Sequence, residues 1–133
     1  TYADTITENY RRYHVRTLEG NLHGNYPEYA REQLDAIENG TANLMWFKVK
    51  TGKKYYKIVQ QEFETWEKSK YFNQYRDASV HAFVDKKTGQ VFKPASWQAP
   101  AKHVRFDLRI IREREFLFNP NNTTWAGGYL YLR

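Results

Sequence analysis

Cysteine is absent from this chain of 133 residues, which excludes both a disulfide framework and a thiolate metal site. No apolar run reaches the length that crosses a bilayer, and the opening "TYADTITENY" is polar where a secretion signal would be apolar. Asn39-Gly40-Thr41 matches a glycosylation acceptor, but without a secretion signal Gly40 reads as a helix stop. With four prolines and seven glycines, no segment is of low complexity. The four histidines are scattered with no His-x-x-x-His pair, so no metal and no cofactor is expected. Nucleophile-elbow and phosphate-loop glycine patterns are missing too, and no catalytic residue can be named.

Basic charge and aromatic rings are plentiful. The net charge is +6, and aromatics make up 17% of the chain, led by eleven tyrosines. Such a surface attracts phosphate or acidic partners, and exposed rings stack on bases. The length suits one domain, 1–133, with a helical part over 1–40 and the sheet, a basic helix and a C-terminal strand over 41–133.

Thr5-Ile6-Thr7-Glu8 offers a capping box, and the spacing of Ile6, Tyr10 and Tyr13 predicts a helix from about Thr5 to Glu19. "GNLHGNYP" breaks it, and a second helix runs from Pro27 to Asn39 with Ala30, Leu34 and Ile37 as its buried stripe. The period then changes to two. "ANLMWFKVKTGKKYYKIVQQ" reads as a hairpin around Thr51-Gly52, and "SVHAFVDKKTGQVFK" as another turning at Lys87 to Gly89. Two consecutive hairpins imply an antiparallel sheet of about four strands, and the fold class is α+β. The link between them, Glu62 to Ala78, reads as a short helix or an ordered excursion.

After Pro100 the pattern predicts a helix: Val104, Leu108 and Ile111 lie at i, i+4 and i+7. At 100° per residue, Lys102, Arg105, Arg109 and Arg112 fall within roughly 80° on the opposite side. "NPNNTTWAGGYLYLR" reads as a loop and a short alternating strand. Asp85-Lys86-Lys87 contains the Asp-x-Lys fragment of some metal nucleases but sits where a hairpin turn wants Asp, Lys and Gly. Trp97 stands between two prolines and has two readings, an apolar plug beneath the sheet or an exposed ring beside a phosphate-facing stripe. The stripe itself is Lys93, Lys102, Arg105, Arg109 and Arg112.

"VHAFVDKKTGQVFKPASWQAPAKHVRFDLR", with the terminal "WAGGYLYLR", resembles a group of small uncharacterised proteins encoded by tailed bacteriophages. The marks are the hairpin Val80 to Val91, the Lys-Pro-Ala-Ser-Trp-x-x-Pro-Ala-Lys-x-x-Arg run from Lys93 to Arg105, and Trp-x-Gly-Gly-Tyr-Leu-Tyr from Trp125 to Tyr131. They cover about the C-terminal half. The resemblance implies a compact phage protein acting in the cytoplasm of the infected bacterial cell or in the virion, and implies no activity. The expectation is a non-enzymatic accessory protein that binds nucleic acid, DNA or RNA, through Lys93, Trp97, Lys102, Arg105, Arg109 and Arg112. Two other classes stand beside it. A protein-binding module, either an inhibitor of a host or defence protein or a virion component, would meet an acidic protein surface with the same cations, and an enzyme would have carboxylates and histidines that assemble only in three dimensions.

Overall fold

The computed structural model describes residues 1–131. Helix α1 spans Tyr2–Asn21. The Thr1 hydroxyl accepts from the Asp4 backbone N–H, and the Asp4 carboxylate reaches back to the Thr1 amine, a closed capping box. The helix therefore starts one turn before the expected Thr5. The earlier start puts Tyr2 and Ala3 on the same buried face as Ile6. Helix α2, Pro27–Glu38, begins on proline and packs against α1, with Ala30 fully buried. Gly40 at φ 74° follows its end.

The sheet has five antiparallel strands in chain order: β1 (Trp46–Thr51), β2 (Tyr55–Phe63), β3 (Tyr75–Asp85), β4 (Gln90–Phe92) and β5 (Phe106–Asp107). Both expected hairpins are present. Asp85 caps the second turn by accepting from the backbone N–H groups of Lys87 and Thr88, at 2.8 and 3.0 Å. The carboxylate is thus spent on an Asx turn. Residues 64–74 form an ordered excursion of turns with no helix.

A helix carrying Arg112 and Arg114 does follow the sheet, but it starts later and is shorter than expected after Pro100. Residues 101–110 are extended or bent and include β5, and the helix that follows, α3, is only Ile111–Leu117. Tertiary pairing outcompetes local periodicity here. Phe106 pairs with Val91, the Arg105 N–H donates to the Val91 carbonyl at 2.8 Å, and His103 sits at φ 72°, which no α-helix tolerates. The expected C-terminal strand is also absent among the described residues. A left-handed Gly127 (φ 82°) leads into a 3-10 turn, Gly128–Leu130; Leu132 and Arg133 of that expected strand lie outside the described residues.

One face of the sheet is packed. Phe47, Ile58, Ala82, Val84 and Val91 meet Tyr2, Ala3 and Ile6 of α1, Leu117 of α3 and Leu130 of the tail. The Phe47 N–H donates to the Thr7 hydroxyl at 3.0 Å, so α1 is also tied by a hydrogen bond to edge strand β1. Strand β3 carries two extra residues. Ile58 pairs with Ala82 but Val59 with Val80, leaving His81 unpaired, and the next shift leaves Ala78 unpaired. Such bulges bend a strand and re-aim side chains, which matters for His81.

Candidate functional site

The C-terminal segment lies across the packed face of the sheet, held there by Thr123 within it and by three polar residues from distant parts of the chain. Asn9, buried in α1, accepts from the Trp125 N–H at 2.9 Å and donates to the Pro120 carbonyl. Thr123, fully buried, donates to the Leu117 carbonyl at 2.6 Å. The Trp125 ring is clasped by Tyr10 and Tyr13 of α1, each with its centroid 5.4 Å away. The third holder is His81. Its bulged position turns the imidazole inward, where Nε2 lies 2.7 Å from the Tyr129 hydroxyl, the Tyr129 hydroxyl meets that of Tyr2, and Phe47 stands edge-on at 5.1 Å.

Burial makes this chain of polar groups a neutral one. Desolvation pulls the His81 pKa from 6.5 down to about 4, against a smaller opposing effect of the Trp125 backbone. Burial likewise pushes the Tyr129 and Tyr2 hydroxyls well above the usual tyrosine range. With its Nδ1 proton directed at the Trp125 backbone, the histidine accepts from Tyr129 at Nε2, and Tyr129 accepts from Tyr2. Gly127 sits over the ring: a Cβ there would lie 3.6 Å from the His81 Cε1. His81 is thus a buried structural residue.

Arg105 is the fourth holder. Its Nε donates to the Leu130 carbonyl at 2.7 Å, and its Nη1 donates to the carbonyls of Lys102 (2.7 Å) and His103. Arg105 is half-buried, and its Nε and Nη1 are engaged with backbone carbonyls, so the side chain is tied back toward the tail where a free stripe residue was expected. Lys93, on the packed-face side of β4, sends its ammonium over the Tyr131 ring, 4.8 Å from the centroid.

Between Lys93 and β5 the chain makes a small closed loop. Pro94 and Pro100 bridge, the Ala101 N–H donates to the Lys93 carbonyl at 2.7 Å, and the Ser96 hydroxyl accepts from the N–H groups of Gln98 and Ala99. These bonds fix Trp97 at the tip, where it is 40% exposed. The reading of Trp97 as a plug beneath the sheet is thereby corrected. The prolines suit the loop because neither ring nitrogen is asked to donate.

The predicted stripe splits in two. Lys93, Trp97 and the exposed Lys102 belong to one end of the β4–β5 ladder. Arg109 packs against Gly89 at the other end, four residues along and roughly 13 Å away at ~3.3 Å per residue. Arg109 is exposed but leans on the Asp107 carboxylate at 3.4 Å, and Arg112 is exposed in the first turn of α3. The Arg109 backbone N–H and, to a smaller extent, the guanidinium of the same residue hold the Asp107 carboxyl below the usual range.

Beside Lys93 opens a cavity of about 360 Å³, lined among others by Gln60, Ser79, His81, Gly127 and Tyr131. Its walls come from all three segments that stood out in the sequence: the β3 hairpin, the run beginning at Lys93, and the tail from Trp125. Sequence reasoning missed Gln60, Ser79 and Asn9. For Asn9 a signal existed, since a polar residue three positions after Ile6 falls on the buried face of α1. Nothing local marked the other two.

The family of unknown function DUF7717 matches residues 1–132, and the chain belongs to that family. No curated protein and no solved structure matches it.

Proposed function

We propose that this member of the family is a small phage-encoded accessory protein, not an enzyme, that binds nucleic acid along the edge formed by Lys93, Trp97, Lys102 and Tyr131. The observation that carries the reading is the pairing of charge with exposed rings on one rigid edge. Lys93 lies against the face of Tyr131, and Trp97 stands at the tip of a hydrogen-bonded loop whose far strand leads to Lys102. Ammonium groups pair with phosphates while rings accept bases, and such binding weakens steeply with salt. Arg109 and Arg112 extend the positive surface toward α3, and Arg105 acts by holding the tail. The phage origin, with action in the cytoplasm of the infected cell or in the virion, rests on the resemblance of the three segments. Fluorescence anisotropy of labelled DNA and RNA at two salt concentrations tests the reading. Lys93→Glu/Lys102→Glu and Trp97→Ala are expected to weaken binding by roughly tenfold or more each. Binding unchanged by both variants refutes it.

A second reading has its own observation. The 64–74 excursion exposes Trp66, Tyr71 and Phe72 on a turn-built finger together with Lys68 and Lys70. Aromatic tips of this kind anchor protein–protein contacts. Loss of a co-purifying acidic partner on Trp66→Ala would favour that class.

A further inference from the structure

We infer that the cavity beside Lys93 is a pocket for one unstacked nucleobase, and that the protein therefore selects single-stranded over duplex nucleic acid. The inference rests on the nucleic-acid reading above and adds which form is bound and where the base goes. Size is the first argument. About 360 Å³ lies at the low end of the range of small-ligand sites, roughly 300–1,000 Å³, enough for one heteroaromatic ring system and its sugar but not for a stacked run. Chemistry is the second. The Gln60 amide N–H donates to Glu62 at 3.0 Å, which leaves its carbonyl oxygen as an acceptor, and the Ser79 hydroxyl makes no hydrogen bond among the described residues. An acceptor and a hydroxyl at one wall match the mixed edge of a base. His81 contributes a ring and no proton, since its nitrogens are engaged inside the fold.

Position is the third argument. Tyr131, 62% exposed, and Lys93 both line this cavity, so the residues that would take a base face and a phosphate are part of its wall. The floor is firm, because Gly127 rests on His81 and the tail behind it is held by Arg105 and Asn9. In a duplex the bases are stacked and paired, so filling the pocket would require extruding one; a single strand offers its bases at far lower cost.

Anisotropy titrations of a labelled twelve-nucleotide single strand and the matching duplex test this with wild type, Ser79→Phe and Lys93→Glu/Lys102→Glu, each checked for folding by circular dichroism. Ser79 is exposed, so phenylalanine there fills the cavity without entering the core. Wild type is expected to prefer the single strand by roughly tenfold, the value of about one stacked base. Ser79→Phe should erase that preference and leave the salt slope unchanged, while the charge reversal weakens both ligands and flattens the slope. A preference that survives Ser79→Phe overturns the pocket and leaves the edge reading standing. Binding indifferent to the charge reversal overturns the edge reading itself. If Ser79→Phe does not fold, a titration of wild type with adenosine and uridine monophosphates decides: shifts of the Gly127 and His81 resonances support the pocket, and unmoved resonances overturn it.

Discussion

Acidification from pH 7.5 to 4 should remove about 3 kcal/mol of stability through His81 alone. In the folded protein burial holds this imidazole neutral with a pKa of about 4, whereas in the unfolded chain it titrates at 6.5. The unfolded state therefore takes up a proton that the folded state refuses, so this contribution is fully present above about pH 6.5 and drains as the pH falls toward 4. Some 2.5 pH units at 1.36 kcal/mol each give the figure, a large share of the ~5–15 kcal/mol that holds a domain of this size. Among the described residues no carboxylate bonds to His81 to soften the loss; its polar neighbours are the Tyr129 hydroxyl, with Tyr2 beyond it, and the Trp125 backbone. Urea unfolding at pH 7.5, 6.5, 5.5 and 4.5, with His81→Gln measured in parallel, isolates the effect. Asp4, Glu8, Glu64, Asp77, Asp85 and Asp107, whose pKa values are lowered in the fold, also lose stability on acidification. Their contribution is common to both proteins and cancels in the difference. The wild-type advantage over His81→Gln should shrink steadily below pH 6.5. A difference that stays flat from pH 7.5 to 4.5 would refute the buried neutral histidine.

Two further outcomes test the architecture. Arg105→Gln should cost about 2 kcal/mol, because one charged donor set serves three backbone carbonyls. Urea unfolding reads the loss, amide exchange of residues 125–131 should accelerate with it, and an unchanged urea midpoint would return Arg105 to the surface. Phe47→Ala removes a fully buried ring from the junction of α1 with β1 and His81, and should cost about 3–5 kcal/mol by thermal or urea unfolding, with a shortfall below ~1 kcal/mol showing that the junction is loosely packed.

The sequence carried the hairpins and the two N-terminal helices plainly, because alternation, turn residues and a proline-to-glycine frame each act locally. It was ambiguous where two periods fit the same residues. Val104, Leu108 and Ile111 suit a helix, but Val104, Phe106, Leu108 and Ile110 alternate as a strand, and the second pattern accounts for the half-buried Phe106 that the first leaves on the polar side. Pro100 and the left-handed His103 lie just before this run, and β4 offered an open edge, so pairing prevailed. Tyr129 and Tyr131 misled in the opposite direction. Their spacing suggested a strand, yet the Tyr129 hydroxyl is committed to His81 and Tyr2 while Tyr131 is exposed.

Arg105 shows why charge counted along a sequence overstates a binding surface. A guanidinium has five donors and no acceptor, so an arginine beside a turn with several unpaired carbonyls is drawn inward. Lysine is a compact ammonium on a flexible stem, and among the described residues neither Lys93, whose ammonium lies over Tyr131, nor the exposed Lys102 spends that ammonium on a hydrogen bond. Of the four cations first aligned on an expected helix, Arg105 became a clamp, Arg109 leans on a carboxylate, and Lys102 and Arg112 lie toward opposite ends of a short ladder. What brings charge and ring together is instead the tail, which the sequence places some 40 residues beyond Lys93 and the fold returns to it. That return depends on Asn9, His81, Thr123 and Arg105, four polar residues whose partners lie up to 116 positions away. Part-buried hydrogen bonds of this reach, with the buried one from Thr123, specify one docking geometry for the tail, because a buried partner left unsatisfied costs about 1–3 kcal/mol. The edge proposed for binding is therefore a product of the interior: weakening any of the four should loosen Tyr131 against Lys93 before the sheet itself unfolds.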